Sequence, residues 1–185
     1  LTGGDAVVVT DVGQHQMWTA QFYQFKHPRS LLTSGGLGAM GYGLPAALGA
    51  QVGIKDKPII LFVGDGGFMM NCQELATIAD CQLPVKIFVL NNQMLGMVAQ
   101  WQRMFYNGHY SHSQLGGRAD FVKLGEAMGV PSYRITDPSD LDQGLERALT
   151  AEGPVLVEIR IPEDVDVLPM VPPGACLDQM IMGGK

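Results

Sequence analysis

Short and nearly continuous runs of aliphatic residues are the feature that most limits how this chain can fold. The clearest of them, residues 59–63, contains no polar residue. A strand that is apolar on both faces belongs in a parallel sheet covered on both sides. Similar runs occur at 6–10, 31–33, 58–63, 85–90, 133–135 and 154–161, and helical stretches lie at about 37–53, 67–82, 95–106, 119–129 and 138–150. This alternation predicts an α/β fold, a doubly wound and mostly parallel sheet with helices on both faces.

Length and composition predict a single domain over residues 1–185, with 162–185 as an irregular tail. Hydrophobic residues make up 46% of the chain and charged residues 16%, which excludes a disordered protein and a coiled coil. A net charge of −6 argues against nucleic acid or an anionic membrane as a partner, and no apolar run is long enough for a membrane helix. The cysteines have no metal-finger spacing and are expected to be reduced, as in an intracellular protein. Because Leu1 opens the chain without Met or a targeting signal, we expect a domain of a longer protein.

A glycine pattern between a predicted strand and a predicted helix suggests a dinucleotide site. Gly36, Gly38 and Gly41 fit the spacing G-x-G-x-x-G. The acid that would hold a ribose hydroxyl would be Asp65, but glycine flanks it on both sides. A ribose-binding acid has no need of flanking glycines, whereas a backbone packed against a diphosphate and a metal does. The sequence therefore disfavours a nicotinamide cofactor, and a purely structural glycine turn remains as an alternative.

Polar residues that follow two neighbouring strands form a stronger pattern. Asp65 comes after one buried strand, and Asn91 and Asn92 come after the next. Adjacent parallel strands place their carboxyl ends side by side, so Asp65 and Asn92 should converge. One carboxylate and one amide oxygen suit Mg²⁺ completed by phosphate oxygens and water, and a helix opening at Gly67 would favour the same anion. The alternative is a pair of ordinary turns, each capped by its own side chain.

The two-part pattern Gly64-Asp65-Gly66 and Asn91-Asn92 is similar to the thiamine diphosphate motif of thiamine-dependent enzymes. Five further segments narrow the match: GQHQMW at 13–18, TSGGLG at 33–38, GYGLPAA at 41–47, LGMVAQWQ at 95–102 and PMVPPGA at 169–175. Together they resemble the C-terminal, diphosphate-binding domain of the acetolactate synthase catalytic subunit. The likeness covers almost the whole chain, and the first and last of these segments are the most specific.

The resemblance implies a role for individual residues. Asp65, Asn92 and the backbone carbonyl of Met94 would hold Mg²⁺. Met40 would be an apolar wedge that bends the cofactor, an arrangement that places a base near its proton. The residues expected to contact thiamine diphosphate are Gln14, His15, Gln16, Gly38, Met40, Gly64, Asp65, Gly66, Gly67, Asn92 and Met97.

Some of these residues could have a purely structural role instead of a role in the site. Met97 and Trp101 share one face of a helix, and by spacing alone they would be core residues, whereas the resemblance implies that they line the substrate channel. Met40 on a helix would also suit a core. His15 at the end of a strand could be a surface or hydrogen-bonded structural residue, although between two glutamines it is well placed to donate to an anion.

The resemblance also implies an activity for the full-length enzyme. The family condenses two pyruvates, or pyruvate and 2-ketobutyrate, with loss of CO₂, on the route to valine, leucine and isoleucine. Its other domains bind FAD and supply an activating Glu from the partner subunit, so this chain alone should be inactive. The resemblance further implies a homodimer or tetramer, a possible regulatory small subunit, and a cytoplasmic location in bacteria or an organellar one in eukaryotes. Another thiamine diphosphate-dependent 2-keto acid decarboxylase or oxidase, and a non-catalytic cofactor-binding module, are the alternatives.

Overall fold

Six parallel strands form one sheet in the computed structural model, which describes residues 1–183. Their order across the sheet is β2-β1-β3-β4-β6-β5. The strands are β1 Val7–Thr10, β2 Leu31–Thr33, β3 Ile59–Gly64, β4 Lys86–Asn91, β5 Ser132–Ile135 and β6 Val155–Arg160. All of the strand pairings are parallel, which confirms the predicted α/β sheet. Each strand also ends within about one residue of the apolar run that predicted it.

Helices cover both faces of the sheet. They are α1 Gln14–Phe22, α2 Gly43–Gly53, α3 Asp65–Met70, α4 Glu74–Asp80, α5 Gly96–Phe105, α6 Phe121–Ala127 and α7 Leu141–Thr150. On one face Leu44, Ile78 and Phe121 pack against the central strands, and on the other Ala148 packs with Phe88. Burial on both faces is why the strands read as continuous apolar runs.

Two of the predicted helices differ from the observed ones. The helix predicted at 37–53 begins only at Gly43, because Gly38 and Gly41 adopt φ of 64° and 85° and lie in a loop. Met40 therefore lies in this loop and not on a helix. The stretch 67–82 is two helices, interrupted where the side chain of Asn71 donates to the Gly41 carbonyl at 2.7 Å.

The helix α1 was not predicted at all. It places His15 in its first turn, whereas the sequence suggested the end of a strand. Its residues are mostly polar or aromatic and show no clear apolar stripe, so the periodicity that identifies a surface helix is absent. The segment after β6 contains, within the described residues, one short 3-10 turn at Leu177–Gln179 and a single bridge between Met170 and Ile181.

Cys72, Cys81 and Cys176 are free thiols. None of the helices in residues 1–183 has the length and apolar character needed to cross a lipid bilayer.

The buried carboxylate of Asp11, directly after β1, fixes the loop that precedes α2. It accepts the backbone N–H groups of Val12 at 2.8 Å, Gly41 at 3.1 Å and Gly43 at 2.7 Å. Asp11 itself is fully buried. A Cβ at Gly43 would lie 2.9 Å from the Asp11 Cβ, so α2 can approach β1 this closely only with glycine at its first position. One side chain thus joins the end of β1 to the start of α2.

Asp11→Ala should lower the free energy of unfolding by about 3 kcal/mol or more, because it leaves buried N–H donors without partners. The matched control is Asp137→Ala, which removes an exposed carboxylate that accepts from the N–H of Ser139 at 2.9 Å and should cost only about 1 kcal/mol. Urea denaturation of both variants measures the difference. Equal losses would contradict the role assigned to Asp11.

Candidate cofactor-binding site

A cavity of about 220 Å³ opens at the carboxyl ends of the central strands. The chain runs from β1 outward to β2 and then returns to β3 on the other side of β1, so the strand order reverses between β1 and β3. Ligands of doubly wound sheets bind in the crevice at such a reversal. The site residues predicted from the sequence that line this cavity are Gln14, His15, Gly38, Met40, Gly64, Asp65, Gly66, Gly67, Asn92, Met94 and Met97.

Asp65 is a buried carboxylate with few partners. It begins α3, is 4% exposed, and accepts the N–H of Gly66 at 3.0 Å. Burial raises its pKa to about 6, although backbone N–H groups and Arg160 oppose the shift. A cation in the cavity would stabilise the charged form that burial disfavours. A buried carboxylate of this kind is suited to binding a cation.

Asn92 and Met94 complete the oxygen-bearing side of the cavity. Gly64 and Leu90 are partners across β3 and β4, so the residues that follow them lie at adjacent strand ends. The Asn92 Oδ1 accepts from the N–H of Met94 at 3.1 Å, and its Nδ2 donates to Gln14 Oε1 at 3.3 Å. Within residues 1–183 there is no cluster of three or more His, Cys, Asp or Glu suited to a metal. A cation would therefore depend on Asp65, on amide or carbonyl oxygens, and on oxygens of its ligand.

A second buried carboxylate orients the turn that carries Asn92. Asn91 Oδ1 accepts from the N–H of Gln93 at 3.0 Å, and Asn91 Nδ2 donates to Glu158 Oε1 at 2.7 Å. Glu158 is fully buried and pairs with Arg134 at 2.7 Å and Arg160 at 2.9 Å. Because Glu158 is satisfied on all sides, it serves as a fixed anchor for the turn.

His15 is a buried imidazole that lines the cavity. It is 5% exposed, and its Nε2 has no hydrogen-bond partner among the described residues. Burial lowers the pKa of His15 to about 4, so the ring is neutral near pH 7, although the charge of Asp11 opposes the shift. A Cβ at Gly13 or Gly64 would lie 3.0 or 3.1 Å from the ring, so both glycines make room for the imidazole. A neutral imidazole can donate one hydrogen bond to an anionic oxygen.

The loop that precedes α2 contributes Gly38 and Met40 to the lining of the cavity. Met40 lies in this loop, and a Cβ at Gly66 would lie 3.6 Å from the Met40 methyl and 2.6 Å from Leu95 Cδ2. The absence of a side chain at Gly66 therefore keeps open a space bounded by Met40 and Leu95. The cavity therefore combines a buried imidazole, a carboxylate with few partners and an open space beside Gly66. These features suit an anionic cofactor with a bound cation.

Gln16 and Trp101 lie outside this cavity. Gln16 Nε2 donates to Thr33 Oγ1 at 2.7 Å, and the residue lines a separate hollow beside β2. Trp101 is 38% exposed, so it is not a core residue, and its ring packs edge-on against Phe105 at 5.5 Å. Trp101 lines an open, largely apolar hollow of about 740 Å³. Met97 borders both this hollow and the cavity and so connects them.

Asp11, Glu158 and Gln100 bond to residues around the cavity without lining it, and none of them was predicted from the sequence. Asp11 could have been found, because it follows β1 as Asp65 follows β3 and the same strand-end rule applies to both. Glu158 lies inside an apolar strand, and Gln100 lies on the buried side of α5. A buried charged or amide residue inside an apolar run is the signal that was available for these two.

Asp65→Asn should stabilise the ligand-free chain, by on the order of 1–3 kcal/mol at pH 7, because it removes a buried charge with few partners. Thermal melts beside Asp80→Asn, the same change at an exposed position, measure the effect. A melting temperature for Asp65→Asn that is no higher than the control would contradict the electrostatic cost assigned to Asp65.

Comparison with known proteins agrees with this geometry. The family described as "Thiamine pyrophosphate enzyme, C-terminal TPP binding domain" matches residues 11–159. Acetolactate synthase 1, chloroplastic, of Nicotiana tabacum is 48% identical over 100% of the chain and 29% of its own length. The acetolactate synthase large subunit of Lactococcus lactis is 46% identical over 97% of the chain and 31% of its own length. The chain thus spans less than a third of these relatives.

These matches confirm the resemblance inferred from the sequence motifs. The probable acetolactate synthase large subunit of Methanococcus aeolicus, an archaeal relative, is 46% identical over 96% of the chain and 29% of its own length. The chain belongs to the thiamine pyrophosphate enzyme family as a C-terminal TPP-binding domain, and it is homologous to that domain of acetolactate synthases.

Proposed function

We propose that this chain binds thiamine diphosphate with Mg²⁺ and serves as the cofactor-binding domain of an acetolactate synthase. The observation that carries the proposal is the meeting of Asp65, Asn92 and the neutral imidazole of His15 in one cavity. A carboxylate with few partners and a neutral donor in the same small space suit a cation and a diphosphate. Similarity to acetolactate synthases, from plants to an archaeon, supports the choice of enzyme.

In this proposal the residues of the chain bind and orient the cofactor. Asp65, Asn92 and the Met94 carbonyl hold Mg²⁺, and the imidazole of His15 donates to a diphosphate oxygen. Gln14 holds Asn92 in place through the 3.3 Å hydrogen bond. When bound, thiamine diphosphate supplies the carbanion chemistry of the reaction.

The remaining contacts orient the cofactor and shield it. Met40 would press against the bound cofactor as an apolar wedge, and the backbone at Gly38 and Met40 would contact its pyrimidine ring. Gly66 would leave room for the diphosphate, and Gly64 and Gly67 would contact it through their backbone. Met97 would cover the cavity where it meets the open hollow. Gln16 contributes to cofactor binding only indirectly. It stabilises the glycine-rich loop by donating to the Ser34 carbonyl at 3.4 Å.

The substrates and partners belong to the whole enzyme. We propose that it condenses pyruvate with pyruvate or 2-ketobutyrate for the synthesis of branched-chain amino acids. FAD and the activating Glu would be contributed by other domains, and full-length subunits would form a dimer or tetramer, with a regulatory small subunit as a further partner. A cytoplasmic location would apply in a bacterium and an organellar one in a eukaryote; several plant relatives are named chloroplastic.

Met97 and Trp101 are proposed to line the path of the second keto acid. Met97 joins the cavity to the open hollow, and Trp101 lies one helical turn further along α5. The exposed, apolar face of Trp101 can contact the extra methylene of 2-ketobutyrate. Discrimination of a single methylene contributes only about 1–3 kcal/mol, so the expected role is a preference.

Thiamine diphosphate binding by this chain should require a divalent cation, because a diphosphate and the Asp65 carboxylate otherwise repel each other. Isothermal calorimetry with and without Mg²⁺ tests this, and Asp65→Ala should abolish the cation-dependent binding. The control Asp80→Ala removes an exposed carboxylate and should leave affinity unchanged. Unchanged affinity in Asp65→Ala would refute the metal site.

In the complete enzyme, Trp101→Leu should change the choice of acceptor more than the consumption of pyruvate. The first pyruvate would react before the acceptor meets this surface, so the ratio of the two products should shift by about 1–2 kcal/mol. A competition assay with pyruvate and 2-ketobutyrate measures the ratio, and Phe22→Leu, at an exposed aromatic on α1, is the control. An unchanged ratio, with both products falling together, would remove Trp101 from the channel.

A further inference from the structure

Gln100 on α5 is a fully buried amide that bonds to two separate parts of the chain. Its Oε1 accepts from Gln14 Nε2 at 3.0 Å and from the N–H of Val167 at 2.8 Å. Its Nε2 donates to the Val167 carbonyl at 3.0 Å. An amide buried in this way is costly unless both of its ends are paired, and here they are.

These bonds continue a chain of amides that begins at the candidate metal ligand. Asn92 Nδ2 donates to Gln14 Oε1, and Gln14 Nε2 donates onward to Gln100 Oε1 and, at 2.7 Å, to the Val165 carbonyl. Every amide in the series therefore has its nitrogen and oxygen sides fixed by a neighbour. The series runs from the turn after β4, through α1 and α5, to the segment 165–167 that follows β6.

The segment 165–167 has little else to hold it. It contains no helix or strand, and Val167, at 1% exposed, is its one fully buried residue. An ion pair between Arg103 and Asp166 joins it to α5 a second time. The main-chain N–H and carbonyl of Val167 both bond with the side chain of Gln100. This mimics the pairing that a neighbouring strand would give.

We propose that Gln100 is a positioning residue that couples the metal site to the segment 165–167. The inference rests on the proposed function, since it takes Asn92 as a metal ligand. An asparagine amide can turn about its last bond and present either its oxygen or its nitrogen. The bond to Gln14 keeps the Asn92 nitrogen turned away, so that its oxygen stays available to a cation, and Gln100 keeps Gln14 in that orientation.

The coupling works in both directions. A cation that fixes Asn92 also fixes Gln14 and Gln100, and thereby strengthens the pairing of Val167. Conversely, loss of Gln100 frees Gln14 to turn and leaves Val167 unpaired. Residues that orient a metal ligand from behind typically contribute about 10–100-fold to metal affinity. Binding and order of the segment 165–167 should therefore change together.

The test uses Gln100→Met in the full chain, a change that keeps side-chain volume and removes the amide. Calorimetry with Mg²⁺ and thiamine diphosphate should show about 10–100-fold weaker Mg²⁺ binding. The matched control is Gln51→Met, at a glutamine on α2 that is 4% exposed and bonds only to the Ile54 carbonyl at 3.0 Å. Gln51→Met also removes a buried amide, but the Gln51 Oε1 has no partner among the described residues, so the comparison is made on affinity. A purely structural role for Gln100 predicts lower stability with an Mg²⁺ affinity that is unchanged, as in the control.

Hydrogen exchange of the wild-type chain tests the coupling even where Gln100→Met does not fold. Adding Mg²⁺ and thiamine diphosphate should slow exchange at the Val167 N–H by about tenfold or more, while the N–H of Ile54, bonded to Ala50, stays unchanged. If the wild-type chain binds the pair of ligands but Val167 exchange does not change, the inference is overturned and the proposed function stands. If the wild-type chain binds neither ligand, the proposed function fails, and this inference fails with it.

Discussion

The buried carboxylate of Asp11 is the constraint on which the site depends. It lies where the chain leaves β1, beside the reversal of strand order, and it gathers the N–H groups of Gly41 and Gly43. These bonds set the path of the loop that contains Gly38 and Met40. A flexible, glycine-rich loop becomes one wall of a defined cavity because one side chain satisfies its backbone.

Three buried carboxylates near the strand ends differ in how fully they are satisfied. Asp11 accepts several backbone N–H groups, and Glu158 is paired with Arg134, Arg160 and Asn91. Asp65 has far less support, and burial raises its pKa to about 6. Carboxylates whose oxygens are occupied by the fold act as anchors, whereas the one with unused oxygens can bind a ligand from outside.

The sheet could be predicted from the sequence, but the helices only in part. Strands buried on both faces leave an apolar run with clear ends, as at β3. The helix α1 leaves no such trace, because its buried residues, Gln14, His15 and Thr19, are polar and form no apolar stripe. Strand-end polarity and the family resemblance named Asp65 and Asn92, and both line the cavity. Glu158 and Gln100, which bond to Asn91 and Gln14, come from a strand and a helix remote in sequence. A polar residue within a buried element can be recognised from the sequence, but no local pattern shows which residue it contacts.

The glycines around Asp65 lack side chains for different physical reasons. From the sequence alone, the glycines on both sides of Asp65 are explained by a diphosphate that lies close to the backbone. In the structure a Cβ at Gly67 would collide with the Asp11 carboxylate, and one at Gly64 would lie 3.1 Å from the His15 ring. Only Gly66 faces mobile side chains, those of Leu95, Leu115 and Met40. Gly64 and Gly67 are therefore required by the fold with or without a ligand, and Gly66 is the position at which the absence of a side chain serves the cavity itself.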